Sequence, residues 1–296
     1  MNVAQLLDDA TTRIAAATGL EKREARLEAR VLACHAWRVE TAWLIAHDTD
    51  VLPATQITEF QTLLSQRETG HPIAYLVGIR EFYGRPFQVT PAVLIPRPET
   101  ELLVELALAR IPLDQPIDVL DLGTGSGCIA ITLALERPLA RVTAVDRSEV
   151  ALAIAQRNAE SLSARVDFMS SDWFSVLQGR NFDLIVSNPP YIAQNDPHLT
   201  RGDIRFEPIT ALVSGTHGLD DAGCLVSTAR SHLVHGGCLL LEHGHDQAEA
   251  VRSLLSIHGF HAPQSWADLA GIQRVSGGNL SEYFTHCDLE PPPKAL

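Results

Sequence analysis

Basic residues, paired cysteines and long apolar runs are all scarce in this chain, and each scarcity excludes a class of protein. There are 23 Lys and Arg against 36 Asp and Glu, a formal charge of −13 over 296 residues. A surface that grips long nucleic acid must neutralise phosphates, so no direct binding of long DNA or RNA is expected. The arginines that do cluster, Arg23, Arg26, Arg30 and Arg38, are interleaved with Glu21, Glu24, Glu28 and Glu40. That pattern reads as a solvated helix face with i,i+4 pairs. The five cysteines, Cys34, Cys128, Cys224, Cys238 and Cys287, are odd in number, scattered and never spaced Cys-x-x-Cys. Neither a disulfide framework nor a zinc site is indicated, and small buried hydrophobes are expected instead. No apolar stretch approaches the roughly 20 residues of a membrane span. The start, Met1 to Asp9, has neither the basic beginning nor the apolar centre of a secretion signal, so a cytoplasmic location away from membranes is expected. No internal repeat is visible.

The rest of the composition, 46% hydrophobic and 20% charged, is that of a globular protein long enough for one large domain or two modest ones. Residues 1–77 are rich in Ala, Leu, Arg, Glu and Gln. Leu27, Val31, Leu32, Trp37, Leu44 and Ile45 recur at helical spacing, and a second helix runs through Ile57, Phe60, Leu63 and Leu64 after Pro53. A small helical bundle is expected there. Residues 78–100 read as a connector with a short β-hairpin, its β-type runs Phe87-Gln88-Val89 and Val93-Leu94-Ile95 being split by Pro91. Over 101–280 strands alternate with helices, which predicts an α/β fold, a Rossmann-like and largely parallel sheet with helices on both faces. Residues 281–296, with three prolines at 291–293, read as a loose tail.

Two motifs carry chemistry. The first, Asp121-Leu122-Gly123-Thr124-Gly125-Ser126-Gly127, lies between the apolar run Ile117 to Leu120 and a helix start at Cys128. A strand, a glycine turn and a helix let a ligand approach the backbone closely. The next run, Val142 to Val145, ends in Asp146, at about the spacing of an acid that accepts from ribose hydroxyls. A nucleoside-containing cofactor follows. Gly-x-Gly-x-Gly leans away from a dinucleotide, and S-adenosylmethionine has no phosphate to cradle. Asp172-Trp173, after the run Val166 to Met169, offers an acid for an adenine amino group and a ring for its face; alone such a pair is more often an ordinary strand end.

The second motif, Asn188-Pro189-Pro190-Tyr191, follows the strand-like run Phe182 to Val186. An amide or conjugated amine has its lone pair drawn into the π-system and attacks a methyl group badly. The side-chain oxygen of Asn188 and the carbonyl of Pro189 could accept from its two N–H groups, fixing the nitrogen as positive charge develops. Pro190 stiffens the turn and Tyr191 offers a stacking face. Asn-Pro and Pro-Pro are also ordinary turn dipeptides. Beside the glycine turn, however, the motif points to methyl transfer onto a planar nitrogen.

These motifs, with Leu94-Ile95-Pro96-Arg97-Pro98-Glu99-Thr100-Glu101, Gly78 to Gly84 and Arg205-Phe206-Glu207-Pro208, resemble the bacterial peptide chain release factor glutamine methyltransferases, the HemK/PrmC family. The resemblance runs to about Val275. It implies S-adenosylmethionine held by Gly123, Thr124, Gly125, Ser126 and Gly127, with Asp146 on the ribose, Trp173 beside the adenine, Asn188 also against the cofactor, and Asn188 to Tyr191 on the acceptor amide. It also implies a substrate, the glutamine of the Gly-Gly-Gln loop in class I release factors; a helical first domain that helps recognise it; and a monomer. Arg97 and Glu99 read either as contacts to the methionine end of the cofactor or as a salt-bridged loop, and Glu207 as a brace for the Asn188 loop. His71, His243 and His245 read as surface or packing residues, and no general base is assigned. Two rival readings stay open: an adenine-amino methyltransferase acting on nucleic acid, which would use the same four residues on a flipped base, and a non-catalytic nucleoside-binding partner protein.

Overall fold

A computed structural model describes residues 1–280 of the chain. The expected tail, with Cys287, lies outside these residues. Within them the chain divides into two compact units, Met1–Ile79 with Pro197–Phe206, and Arg80–Asp196 with the chain from Glu207 onward.

The first unit is helical: α1 (Val3–Thr18), α2 (Lys22–Trp37), α3 (Thr41–Ala46), α4 (Ala54–Glu68) and α5 (Ile73–Val77). Helix α1 begins on a capping box, Asn2 Oδ1 accepting from Gln5 N at 2.9 Å and Gln5 Oε1 from Asn2 N at 3.0 Å. The core is built by Leu6, Ala10 and Ile14 of α1, Ala25, Ala29, Leu32 and Ala36 of α2, and Phe60 and Leu64 of α4. Three expected positions fall outside it, Leu27 and Ile45 being 65% and 66% exposed and Val31 half-buried. In α2 the buried stripe is carried by alanines, and Leu27, two residues beyond Ala25, turns about 200° away from it. Beneath the expected charged face, Arg67 of α4 is buried. It donates to both oxygens of Glu28 (2.7 and 3.0 Å), to Asp203 (3.0 Å) and to the His71 carbonyl (3.1 Å).

The second unit opens on the hairpin β1 (Ile79–Phe82) and β2 (Arg85–Gln88), closed by the two-residue turn Tyr83-Gly84 with φ of 52° and 73°. Positive φ at both turn residues matches the twist of the strands and fixes the pairing. The expected strand at Val93–Ile95 does not form: Phe87 pairs backwards across Gly84 rather than forwards across Pro91, and Val93 and Ile95 are buried as irregular chain. The elements that follow are α6 (Glu101–Leu108), β3 (Asp118–Leu122), α7 (Cys128–Glu136), β4 (Arg141–Asp146), α8 (Glu149–Leu162), β5 (Asp167–Ser170), β6 (Phe182–Ser187), α9 (Asp220–Ala229), β7 (Leu233–Glu242), α10 (Ala248–Ile257), β8 (His261–Ala267) and β9 (Gln273–Asn279). The seven-stranded sheet has the order β5-β4-β3-β6-β7-β9-β8. Its first five strands are parallel, and β9 runs antiparallel between β7 and β8, a terminal hairpin that the alternating strand and helix pattern did not foreshadow.

Both faces of the sheet are covered, which is why its central strands β3, β4, β6 and β7 are mostly apolar. Val119, Leu184, Val186 and Leu240 pack with α6 and α7 on one side. Leu120, Leu122, Ile185 and Leu241 pack with α9 and α10 on the other. Of the cysteines expected to be buried, Cys128 and Cys238 are; Cys34 is half-buried and Cys224 exposed. Cys224 lies on the outer side of α9, away from Leu225 and Val226, which face the sheet.

Candidate active site

The sheet order places the site. From β3 the chain winds outwards through β4 and β5, then returns to lay β6 on the opposite side of β3. Crossover connections leave β3 and β6 in opposite directions, so a crevice opens beyond their carboxyl ends, where open α/β sheets bind ligands. The glycine turn follows β3 and Asn188 follows β6. The Ser187 hydroxyl donates to the Leu122 carbonyl at 2.6 Å and ties the two strand ends together.

A cavity of about 210 Å³ lies there. Gly123, Thr124, Gly125, Ser126, Asp146, Trp173, Asn188 and Pro190 line it, with Arg97 and Asp172; Gly127, Pro189, Tyr191 and Glu99 do not. Gly127 holds the turn from behind. Its φ is 83°, and a Cβ there would meet Ile131 Cδ1 at 2.8 Å and the Ala155 Cβ at 3.0 Å. Gly125, also at positive φ, faces open space. The Trp173 ring lies against Gly123, where an added Cβ would approach it to 3.3 Å.

The turn's backbone donors decide which cofactor it fits. Gly123 N and Thr124 N donate to the Val145 carbonyl, Gly127 N to the Thr124 carbonyl, and Gly125 N to Asp146 Oδ2 at 2.9 Å. Four amides that would cradle a phosphate are already engaged within the fold. The other Asp146 oxygen accepts from Ser148 N at 2.8 Å, and the lone pairs left on the carboxylate can accept from vicinal hydroxyls. An open glycine, an acid and an indole around one cavity, without a phosphate cradle, fit S-adenosylmethionine.

Asn188 closes the cavity on the β6 side. Its Nδ2 donates to Thr100 Oγ1 at 3.1 Å, while its Oδ1 is buried without a hydrogen-bond partner among the described residues. Unmet buried acceptors are costly, about 1 to 3 kcal/mol, and in native proteins call for a reason. Tyr191 is anchored through its backbone, its carbonyl accepting from Gln247 Nε2 at 3.0 Å. Burial, with the Glu242 carboxylate nearby, pushes its phenol up. Arg97 pairs with Glu207, whose Oε2 accepts from Ile95 N at 3.0 Å, so these contacts of Glu207 brace the loop before α6. Arg97 is salt-bridged and also lines the cavity. His243 is buried between Ser276 Oγ and the Gly244 carbonyl, both at 2.8 Å, while His245 is exposed. Burial pushes the Cys128 thiol, on the cavity wall, up to about 12, which leaves it no role as a nucleophile at neutral pH.

Sequence reasoning missed Thr100, Arg147, Ser148 and Thr210, which line the same cavity. Ser148 did carry a signal: it caps α8, accepting from Ala151 N at 3.2 Å two residues beyond Asp146. The others have no local pattern.

Residues 5–78 match the PrmC N-terminal domain family and residues 99–205 the methyltransferase small domain family. The release factor glutamine methyltransferase of Bordetella pertussis (strain Tohama I) is 50% identical over 256 residues, which cover 86% of this chain and 95% of that protein. The chain belongs to the release factor glutamine methyltransferase family. The family's protein from Escherichia coli (strain K12) is 47% identical over 254 residues, 86% of this chain and 91% of that one. A methyltransferase from Pyrococcus furiosus superposes with a TM-score of 0.51 at 18% identity, over 74% of this chain and 97% of that chain, and shares the fold. Among the described residues no helix is long and apolar enough to cross a membrane.

Proposed function

We propose that this protein transfers the methyl group of S-adenosylmethionine to the side-chain amide nitrogen of the glutamine in the Gly-Gly-Gln motif of a class I release factor, tuning translation termination. The observation that carries this reading is the buried Oδ1 of Asn188, unpartnered among the described residues and set across the switch point from a glycine turn four of whose amides are engaged within the fold. One side of the cavity fits a nucleoside cofactor without phosphates; the other holds an acceptor awaiting a donor.

The chemistry follows from the acceptor's electronics. S-adenosylmethionine, when bound, supplies a methyl group on a sulfonium sulfur. Asn188 Oδ1 and the carbonyl of Pro189 accept from the two N–H groups of the glutamine amide, orient the nitrogen lone pair and stabilise the positive charge that grows on it. Pro190 keeps that carbonyl's direction fixed. Tyr191, anchored by its backbone, packs beside the loop and does not ionise. The cationic product is acidic enough to lose its proton to water, and no histidine among the described residues lines the cavity. Gly123, Thr124, Gly125, Ser126, Asp146 and Trp173 hold the cofactor, and Gly127 keeps the turn's shape. The protein works as a monomer in the cytoplasm, with the folded release factor as its partner and without gripping long nucleic acid, in keeping with its net charge of −13.

Tandem mass spectrometry of the release factor after incubation with enzyme and cofactor tests this. A methyl group on the side-chain nitrogen of the Gly-Gly-Gln glutamine is expected; methylation at another residue would contradict it.

A further inference from the structure

An amide side chain is nearly symmetric in shape, so Asn188 can present its oxygen to a substrate only if something holds its NH2 group. The structure supplies that hold from the loop before α6. Pro98, Glu99 and Thr100 form a single 3₁₀ turn that leads into α6, and Thr100 is 2% exposed. Its Oγ1 takes the hydrogen bond from Asn188 Nδ2 at 3.1 Å. A hydroxyl that accepts still has one hydrogen to place. Behind it lies Glu242, 2% exposed, at the end of β7. Ser187 of β6 pairs with Leu241 of β7, so Asn188 and Glu242 are the next residues along two neighbouring strands. The Thr100 hydroxyl and the Asn188 amide are the polar neighbours that act on the Glu242 carboxyl, each easing its ionisation against the larger effect of burial, and its Oε2 has no partner among the described residues. Burial pushes this carboxyl up to about 7, so the fold keeps at the back of the site an acid that it is costly to bury.

We propose that Thr100 and Glu242 are positioning residues for methyl transfer: the Glu242 carboxylate orients the Thr100 hydroxyl, and together they hold the Asn188 NH2 group so that Oδ1 faces the substrate amide. This rests on the glutamine methyltransferase reading above and gives a task to the 94–101 stretch. Neither residue touches the reacting atoms. Once ionised, the carboxylate only accepts, so in that form the direction of every hydrogen bond from Glu242 to Asn188 is set.

The test compares variants that keep the acceptor or hydroxyl with variants that keep only the shape. Thr100→Val and Glu242→Met should lower kcat on the order of tenfold to a hundredfold. Thr100→Ser and Glu242→Gln should stay within about threefold of the wild type, and cofactor affinity measured by calorimetry should hold within about threefold in all four. A purely structural role would instead follow melting temperature, which Glu242→Met should not lower, because it removes a buried carboxylate. Val and Met variants that fold and turn over at the wild-type rate would overturn the inference, as would Ser and Gln variants as slow as they are. If the Val and Met variants do not fold, exchange of the Asn188 side-chain NH2 protons in 15N-labelled wild-type protein decides: protection supports the hold and free exchange overturns it. An inactive wild type in the same assay would sink the glutamine methyltransferase reading itself; active variants beside an active wild type sink only the positioning role.

Discussion

At the scale of single residues, two oxygens left without partners separate stability from function. Asp121, fully buried near the end of β3, accepts from the Thr124 hydroxyl at 2.6 Å through Oδ2, while Oδ1 has no partner among the described residues. Burial raises its carboxyl from 3.8 to about 7. The native state therefore binds this proton more tightly than the unfolded chain does. Its contribution to stability is present in full below about pH 4 and is lost as pH rises through 7. Asp121→Asn abolishes that titration, so the variant's stability relative to wild type should rise between pH 5 and pH 8 by on the order of 3 kcal/mol in urea unfolding. Parallel pH curves for the two proteins would contradict this. The orphan oxygen of Asn188 should matter to rate instead: Asn188→Ala should cost about 10²- to 10³-fold in kcat, read by methyl transfer to a release factor. The sequence made Asn188 and Asp146 legible because each ends an apolar strand. It did not reveal Thr100 or Glu242, whose roles depend on hydrogen bonds between residues 88 positions apart and on strand pairing that no local window contains.

At the scale of elements, the glycine turn does two jobs at different positions. A methyl group at Gly127 would strain a φ of 83° and collide with Ile131 and Ala155. Gly127→Ala should therefore destabilise the protein by roughly 2 to 4 kcal/mol in urea unfolding. At Gly125 the added methyl meets nothing, because the position opens into the cavity. Gly125→Ala should cost only about 1 kcal/mol of stability but weaken S-adenosylmethionine binding on the order of tenfold, measured by calorimetry. Equal effects of the two substitutions on stability and on binding would remove this distinction. Most elements could be read from the chain because period and punctuation agreed: apolar runs ending in Gly, Asp or Asn gave β3, β4 and β6, and helical spacing gave α2 and α4. The hairpin was misplaced because Pro91 looked like its turn, whereas positive φ at Tyr83 and Gly84 makes the real one. The β8 and β9 pair was invisible because neither strand is strongly apolar, β8 being half-exposed along its length.

At the scale of the whole molecule, strand order brings together motifs more than sixty residues apart, and a net charge of −13 limits what can reach them. A cofactor that binds only the folded state should stabilise it by about 2.7 kcal/mol at a hundredfold excess over Kd. Asn188→Ala, which leaves the glycine turn and Asp146 in place, should keep most of that gain in a thermal melt. The family could be read from the motifs, whereas the substrate, a residue on another protein, followed only from that resemblance; the needs of an amide gave no more than methyl transfer onto a planar nitrogen. The most direct test of that inference is transfer of labelled methyl from S-adenosylmethionine to a purified class I release factor, beside its Gly-Gly-Gln glutamine-to-alanine variant and duplex DNA. Label on the native factor alone, abolished by Asn188→Ala, is the predicted result; label on the alanine variant or on DNA would contradict the account.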